Sequence, residues 1–537
     1  MISLVEHFPE NYTPTPEQRQ VLDQLTQAFE KHKFVICCAP TGSGKSFISK
    51  TIANASIKPT SEFVRLIESY DAFKNEAGSY VYEDECLAEP AFGAAALTIT
   101  KQLQDQYQQL FQDTKVIKGK SNYVCAVDSN FSVDVAPCTY MPKLKQDCWR
   151  NNACPYYTAR NQALTNKFAA FNYSMYMALP HHVKRKQYLI CDEAAELEDE
   201  LVKHFSVEVN AKTLKFLLPK FNNFVDVDNL IKVKQYLSEM STLLHELCEE
   251  LKSKVAKKAT AMDISKLQQA RNLKEQINTA IENWGKAEYI CEKTKTGIIV
   301  QPLKVDNLSN ALFHNAEKVL LMSATIIDPA NYAKSLGITD YEYIELPSAF
   351  DASKAPIFCM SKYKMNRDNW LKLMPTFKQI IDQICEQHKD HKGIIHTHNM
   401  DITNYMRENL KGNRFLFRED GVDNQTILDT HMQSPYNTVL VSPSMTHGVD
   451  LKDDLARFQI IVKAPFLPLN SKRIMKLFKA DAQWYANKML TTVIQATGRG
   501  VRTKDDHCST YILDGCIVNS ILENADKMPK YFLKRFQ

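Results

Sequence analysis

Phe34-Val35-Ile36-Cys37-Cys38 is a short, apolar, β-favouring run, followed by Ala39-Pro40-Thr41-Gly42-Ser43-Gly44-Lys45-Ser46 and a helix-compatible stretch, Phe47–Ala55. Strand, glycine-containing loop and helix in that order predict a P-loop and with it an α/β fold. Gly42 and Gly44 let the backbone curl so that its N–H groups face phosphates, and the helix N-terminus adds a favourable dipole. Thr41, Gly42, Ser43, Gly44, Lys45 and Ser46 are therefore the candidate nucleotide-contacting residues. Lys45 is placed to reach the β- and γ-phosphates, and the Ser46 hydroxyl to ligate Mg²⁺. The strict pattern begins with Gly where this chain has Ala39. A strand-to-helix turn that merely contains Gly and Lys is the bland alternative.

Tyr188-Leu189-Ile190-Cys191-Asp192-Glu193 supplies the complement, an apolar strand ending in two carboxylates. A strand buried in a parallel sheet delivers its C-terminal residues to the crevice where nucleotide binds. Asp192 is the candidate to hold Mg²⁺ through water, and Glu193 to orient and deprotonate the attacking water. By itself Asp-Glu after an apolar run is weak, because helix N-termini also collect acids. Beside a P-loop it marks an ATP site.

A chain of 537 residues exceeds one core and predicts three or four domains, some inserted into others. With 44% hydrophobic and 24% charged residues the balance is that of an ordinary globular protein, and a net charge of +4 identifies no partner. Its distribution says more. Residues 111–187 hold eleven Lys or Arg against four Asp, a local basic surface of the kind that attracts phosphate backbones. The N-terminal residues show no secretory signal, with Glu6 already acidic, and no uncharged stretch approaches the length of a membrane span. These features predict an intracellular protein, cytoplasmic or nuclear, neither secreted nor in a membrane. The fourteen cysteines then belong to a reducing compartment, where thiolates bind metal rather than pair. Cys37, Cys38 and Cys191 fall in strand-like runs and read as small buried hydrophobes.

Cys125, Cys138, Cys148 and Cys154 stand apart, between the two halves of the ATP site, spaced C-x12-C-x9-C-x5-C. Sulfurs so irregularly separated converge only in a dedicated loop domain. Four of them suit a [4Fe–4S] cluster or zinc, and the tight C-x2–4-C pair usual for structural zinc is missing. Four unrelated buried thiols are the third reading.

Further segments extend the pattern in order. They are Pro16-Glu17-Gln18, Leu97-Thr98-Ile99-Thr100-Lys101-Gln102-Leu103, and Lys118-Gly119-Lys120-Ser121-Asn122-Tyr123-Val124-Cys125. Then come Ser323-Ala324-Thr325, Gly448-Val449-Asp450 and Gln495-Ala496-Thr497-Gly498-Arg499-Gly500-Val501-Arg502. The ordered set resembles the XPD/DinG-type superfamily 2 iron–sulfur DNA helicases over most of the chain. The resemblance implies that Gln18 reads adenine and that Thr100 and Lys101 touch the DNA backbone. It further implies that Lys120 and Tyr123 contact the strand, and that Asp450, Gln495, Arg499 and Arg502 complete the ATP site from a second domain. Arg499 and Arg502 lie three apart, so on a helix they share a face and reach the γ-phosphate only when the domains close. Cys154-Pro155-Tyr156-Tyr157 is similar to the family's final cluster ligand, which favours [4Fe–4S]. Tyr123, Tyr140, Trp149, Tyr156 and Tyr157 offer stacking platforms for single-stranded DNA, although some must pack a small domain with few other core residues.

Three departures mark a divergent member. Asp192-Glu193-Ala194-Ala195 stands where the family reads Asp-Glu-Ala-His, which leaves the carboxylates in place and puts coupling through the histidine in question. His447 replaces a common acid, and Asp514-Gly515-Cys516 lacks a following arginine.

Between Glu193 and Ser323 lie about 130 residues, far more than a RecA-like core needs. Leu230, Val233, Leu237, Met240, Leu244, Leu247 and Leu251 alternate three and four apart, and a second pattern runs from Leu267 through Ile277 and Ile281 to Trp284. Together they predict an antiparallel helical hairpin. The runs Gly393–Thr397, Thr438–Ser442, Gln459–Lys463 and Thr510–Leu513 alternate with helical segments, as in a second RecA-like domain. The expected architecture is α/β, with two RecA-like P-loop domains carrying an inserted iron–sulfur domain and an inserted helical arch-like domain. The expected divisions are motor domain 1 at 1–110, 161–205 and 301–346, the cluster domain at 111–160, the arch-like insertion at 206–300 and motor domain 2 at 347–537. No role follows for the insert at roughly 56–92.

The leading expectation is a monomeric ATP-dependent helicase using ATP, Mg²⁺ and a [4Fe–4S] cluster. It would move 5′ to 3′ on single-stranded DNA and open forked duplex, with RNA a possible alternative track. A translocase that remodels nucleoprotein without unwinding, and a DNA-binding scaffold with a vestigial ATP site, are the rivals.

Overall fold

The structure, a computed structural model, describes residues 3–69, 81–151, 153–221, 225–348, 351–418, 424–444, 451, 453–498, 500–501 and 506–537. Asp450, Arg499 and Arg502 lie outside the described residues, as does His447.

Sixteen strands are described. The first five are β1 (Phe34–Cys38), β2 (Phe92–Thr98), β3 (Lys115–Val116), β4 (Phe168–Asn172) and β5 (Lys186–Asp192). Next come β6 (Val207–Asn210), β7 (Tyr289–Lys293), β8 (Gly297–Pro302), β9 (Ala316–Ser323) and β10 (Tyr341–Glu345). The last six are β11 (Ile357–Cys359), β12 (Gly393–His396), β13 (Phe415–Phe417), β14 (Val439–Ser442), β15 (Phe458–Ile461) and β16 (Ser509–Ile512).

Seven of them form one sheet in the order β10-β1-β9-β5-β2-β4-β3, every pair parallel. Its central strands are apolar throughout because helices cover both faces, as parallel sheets require. The order is what positions the site. β9 inserts between β1 and β5 although it follows β1 by some 280 residues, and its register sets Cys38 opposite Ser323 and Asp192 opposite Met322. Three adjacent strands therefore release their C-terminal residues at one edge, where a parallel sheet binds ligands.

A second, six-stranded parallel sheet runs β11-β16-β15-β12-β14-β13, with apolar cores on its two faces. The two sheets carry the α/β lobes expected from the sequence.

The long insertion holds the helical hairpin, Leu230–Lys257 against Ala261–Glu282. Val233, Leu237, Met240, Leu244 and Leu251 are buried along the seam, and Leu247 is partly buried. It also holds an antiparallel sheet, β6-β8-β7, which the sequence reading missed. Strands of four to six residues leave too short a pattern to register beside a 28-residue amphipathic helix. The 56–92 insert contributes two short helices, Ser61–Glu68 and Glu83–Ala88, whose Phe63, Leu66, Ile67 and Cys86 join the core of the first sheet.

Candidate active site and thiol quartet

The loop after β1 adopts the curl its glycines permit. Gly42 and Gly44 both sit at positive φ, 80° and 78°. A Cβ on Gly44 would fall 2.1 Å from the Gln18 amide nitrogen, so side-chain space as well as φ demands glycine there. Lys45 opens the helix Lys45–Ala55, and its Nζ lies 2.8 Å from Glu193 Oε1 and 3.9 Å from Asp192 Oδ1. Glu193 itself takes the left-handed backbone at φ 52°, which swings its carboxylate from β5 toward the loop, where Ser323 Oγ donates to Oε2 at 3.4 Å. Lysine, two acids and a serine from three separate strands thus meet in one place.

Asp192 is buried. Burial pushes its carboxyl above the usual carboxylate range, against the opposing pull of Lys45. The Tyr107 phenol donates to Asp192 Oδ2 at 3.3 Å and contacts the Ser49 hydroxyl at 3.1 Å, with Ser46 also in hydrogen-bonding range. No sequence motif signals Tyr107. It is found only because the helix Lys101–Leu110 packs against the Lys45 helix side of the sheet. The Ser43 hydroxyl is buried without a hydrogen-bond partner among the described residues, an unmet polar group that a phosphate oxygen would satisfy.

Gln18 is placed differently from an open base reader. Its Oε1 accepts from Thr15 N at 3.0 Å in a capping box, and its Nε2 donates to the Ser43 carbonyl at 3.3 Å. In this arrangement it braces the phosphate loop.

The second lobe closes on this site through the helix Ala482–Thr497. Gln495 Nε2 donates to Glu196 Oε1 at 2.7 Å, while Gln495 Oε1 is buried without a hydrogen-bond partner among the described residues. A Cβ on Gly498 would stand 3.9 Å from Thr41 Oγ1, so this helix ends against the phosphate loop. The helix stops at Thr497. Tyr332 donates to the Ala194 carbonyl at 2.6 Å, a further tie that sequence reasoning did not find.

The four cysteines converge. Burial, then the neighbouring Cys154, Cys148 and Cys125, push the Cys138 thiol up to about 11. Burial and the charges of Cys154 and Cys125 likewise raise Cys148. Cys154 is the N-cap residue of the helix Pro155–Thr165 and makes no side-chain capping hydrogen bond. Among the described residues, Glu83, His181 and His182 bring three ligand atoms within 4.8 Å of one another. Four thiols from one short segment are a donor set that suits zinc or a [4Fe–4S] centre.

Of the candidate strand contacts, Thr100 caps the helix Lys101–Leu110 through Leu103 N at 3.3 Å, and exposed Lys101 donates to Asn122 Oδ1 at 2.7 Å. Lys120 lies 5.5 Å over the Tyr156 ring. Tyr123 accepts from Lys118 N at 3.1 Å and packs edge-on to Tyr156, which in turn meets Tyr157. These three tyrosines form the small domain's core, as so short a segment requires. The helical hairpin docks here. Arg271 donates to the Thr139 carbonyl at 2.7 Å, and Gln268 bonds Asp134. Burial, then the nearby cations Lys120, Arg160 and Arg271, lower the Lys145 amine. Lys120, Lys145 and Arg271 gather positive charge between quartet and hairpin, with Arg160 buried beneath them over the Tyr157 ring.

Comparison with known proteins agrees with this geometry. Residues 381–534 match the family model of the helicase C-terminal domain. The ATP-dependent DNA helicase XPD of Sulfolobus acidocaldarius is 20% identical across 93% of this chain and 95% of its own. A solved XPD helicase overlays with a TM-score of 0.63 at 14% identity, covering 98% of this chain and 99% of the other. The S. tokodaii Xpd4 structure gives 0.57 at 13%, over 96% and 98%. No described helix is long and apolar enough to cross a membrane.

Proposed function

We propose that this chain, which shares the fold of solved XPD helicases and matches the helicase C-terminal model over 381–534, is an XPD-type superfamily 2 helicase that hydrolyses ATP between two motor lobes to move 5′ to 3′ along single-stranded DNA and open forked duplex. The observation that carries this reading is the meeting of Lys45, Asp192, Glu193 and Ser323 at the ends of three adjacent strands, with Gln495 of the second lobe already reaching Glu196.

The residues divide the chemistry. The loop from Thr41 to Ser46 binds and orients the phosphates through backbone N–H groups. Lys45 exchanges its ion pair with Glu193 for the phosphate oxygens, which frees Glu193 to hold and deprotonate the attacking water. Ser46 and Asp192 would hold Mg²⁺, whose chemistry is to neutralise phosphate charge. Gln495, Arg499, Arg502 and Asp450 complete the site from the second lobe. Because the two lobes share one nucleotide, its binding closes them and its loss opens them.

Cys125, Cys138, Cys148 and Cys154 would hold the [4Fe–4S] cluster, which when bound ties the loop domain together. Thr100, Lys101, Lys120 and Tyr123 belong to the track for the strand, together with Lys145 and Arg271. Contacts to backbone and by stacking give weak sequence preference. The functional divisions follow the lobes: 1–110, 161–205 and 301–346 for the first motor, 111–160 for the cluster, 206–300 for the arch-like insertion and 347–537 for the second motor.

The test is DNA-stimulated ATP hydrolysis and fork unwinding by Lys45→Ala and Glu193→Gln. Full activity in either would overturn the site. Ala195 favours a second reading, translocation without strand separation, which the same fork assay distinguishes by ATP turnover without product strand. Tailed forks of either polarity and RNA-containing forks decide the track.

A further inference from the structure

Ala195 offers no polar side chain toward the second lobe. Three residues later on the same helical run, and so on the same face, stands Glu198 at the start of the helix Leu197–His204. Its carboxylate is 6% exposed and fully engaged. Oε2 accepts from the Trp484 indole N–H at 2.9 Å and lies 3.1 Å from Lys488 Nζ, and Oε1 lies 3.3 Å from Arg473 Nη2. All three donors belong to the helices Lys472–Ala480 and Ala482–Thr497; the latter packs with the second sheet, and the former packs on that helix and on β7. Burial opposes the charge on Glu198, but Lys488, Arg473 and Trp484 outweigh it and hold the carboxyl below its ordinary range. Lys488 also binds Asp199 at 2.8 Å, and Arg473 Nε holds the Pro302 and Leu303 carbonyls at 3.2 Å.

The gripped helix is the one that delivers Gln495 to Glu196 and ends against Thr41. Only four residues separate Glu193 from Glu198, in a 3₁₀ turn pinned by Tyr332, so little slack lies between them. Beside them a cleft of about 40 Å³ is lined by Ala195, Glu198, Thr325, Tyr332, Trp484 and Lys488. It brings the ends of β5 and β9 and the second-lobe helix to one point, with room for about two or three waters.

We propose that Glu198 is a positioning residue that couples the ATP site to the second lobe, carrying movement of Glu193 into the helix Ala482–Thr497 through Trp484, Arg473 and Lys488 and supplying the polar link that Ala195 lacks. The proposal rests on the helicase reading above. A buried, charge-assisted carboxylate has one well-defined geometry, and loosening it separates hydrolysis from lobe movement.

The test compares Glu198→Gln and Trp484→Phe with the wild-type chain in DNA-stimulated ATP turnover. A dye pair, one on each lobe, reports closure on a non-hydrolysable ATP analogue. Glu198→Gln is expected to lose about tenfold in DNA-stimulated kcat, with KM for ATP within about twofold and reduced closure. Trp484→Phe, which removes the indole N–H together with part of the ring, moves the same way by about threefold. Thermal melting checks the fold of both variants. If Glu198→Gln melts early, Lys488→Gln, which keeps the Glu198 carboxylate and removes one of its charged partners, decides the matter. Wild-type stimulation and closure in a folded variant overturn the coupling role. If Lys45→Ala is inactive while Glu198→Gln is normal, coupling alone fails; if Lys45→Ala still hydrolyses ATP, the helicase reading fails first.

Discussion

The ATP site and the thiol quartet are built by opposite means. The ATP site is assembled from residues 45, 192, 193 and 323, brought together by strand order in an apolar sheet whose own packing suffices to hold them. The quartet comes from 30 consecutive residues with one short helical turn and one helix, beside an isolated bridge between Val124 and Ser132. The segment has little regular structure of its own, and Val133, Cys154 and Tyr156 lean on the core of the first sheet. One region therefore keeps its geometry without a ligand, whereas the other depends on what its sulfurs bind.

The largest expected effect tests the first half of that contrast. Lys45→Ala or Glu193→Gln should lower DNA-stimulated turnover by about a hundredfold or more, with the melting curve little changed because the sheet does not rely on either side chain. Steady-state kinetics and calorimetry on the same samples check this, and a collapse in stability would break the contrast.

Next in size is Cys138→Ser. Loss of one ligand should remove iron, acid-labile sulfide and visible absorbance together, and expose the 125–154 segment to limited proteolysis while the two parallel sheets keep their far-ultraviolet signature. Stoichiometric zinc without sulfide in the wild-type protein would reassign the centre.

A smaller effect concerns Lys186, at the start of the strand that carries Asp192. Its ammonium is buried, bonded to the Leu164 carbonyl at 3.2 Å and 4.1 Å over the Phe92 ring, and burial lowers it from 10.5 to about 7. The folded state sheds this proton near pH 7, whereas the unfolded chain keeps it until about 10.5. Unfolding therefore takes up a proton in between, and stability should rise from pH 7 to 9 by about 1–3 kcal/mol. Lys186→Met should flatten that slope in pH-dependent melting. Above pH 9 the raised thiols of Cys37 and Cys191 act the other way, since the folded state keeps protons the unfolded chain has lost.

The smallest is Tyr107→Phe. Removing the phenol donor to Asp192 should cost about two- to tenfold in ATP turnover without altering iron content, so it separates the two regions at fine scale.

Much of the first region was legible because its signals are local. A phosphate loop is eight consecutive residues, and an apolar strand ending in acids is six. The hairpin seam was legible for the same reason, its period repeating over seven positions from Leu230 to Leu251. Tyr107 was not, since nothing in Lys101–Leu110 marks one tyrosine for Asp192. Sequence also gives no sign that the Gln18 amide braces the phosphate loop through Thr15 and Ser43. The antiparallel β6-β8-β7 sheet pairs β6 with a segment about 90 residues away, and its strands are too short to advertise themselves. Asp450, Arg499 and Arg502 rest on motif order alone.

What the chain's linear order determined, then, was chemistry: a lysine behind two glycines, paired acids after a strand, four thiols in a basic stretch. Partnership was decided in three dimensions. Glu198 and Trp484 are 286 positions apart, and only the packing of one sheet's helix on another's makes a carboxylate and an indole N–H the shared hinge of two lobes. Local spacing encodes which groups a residue run presents, but burial and strand order, set by the whole core, decide which of them meet.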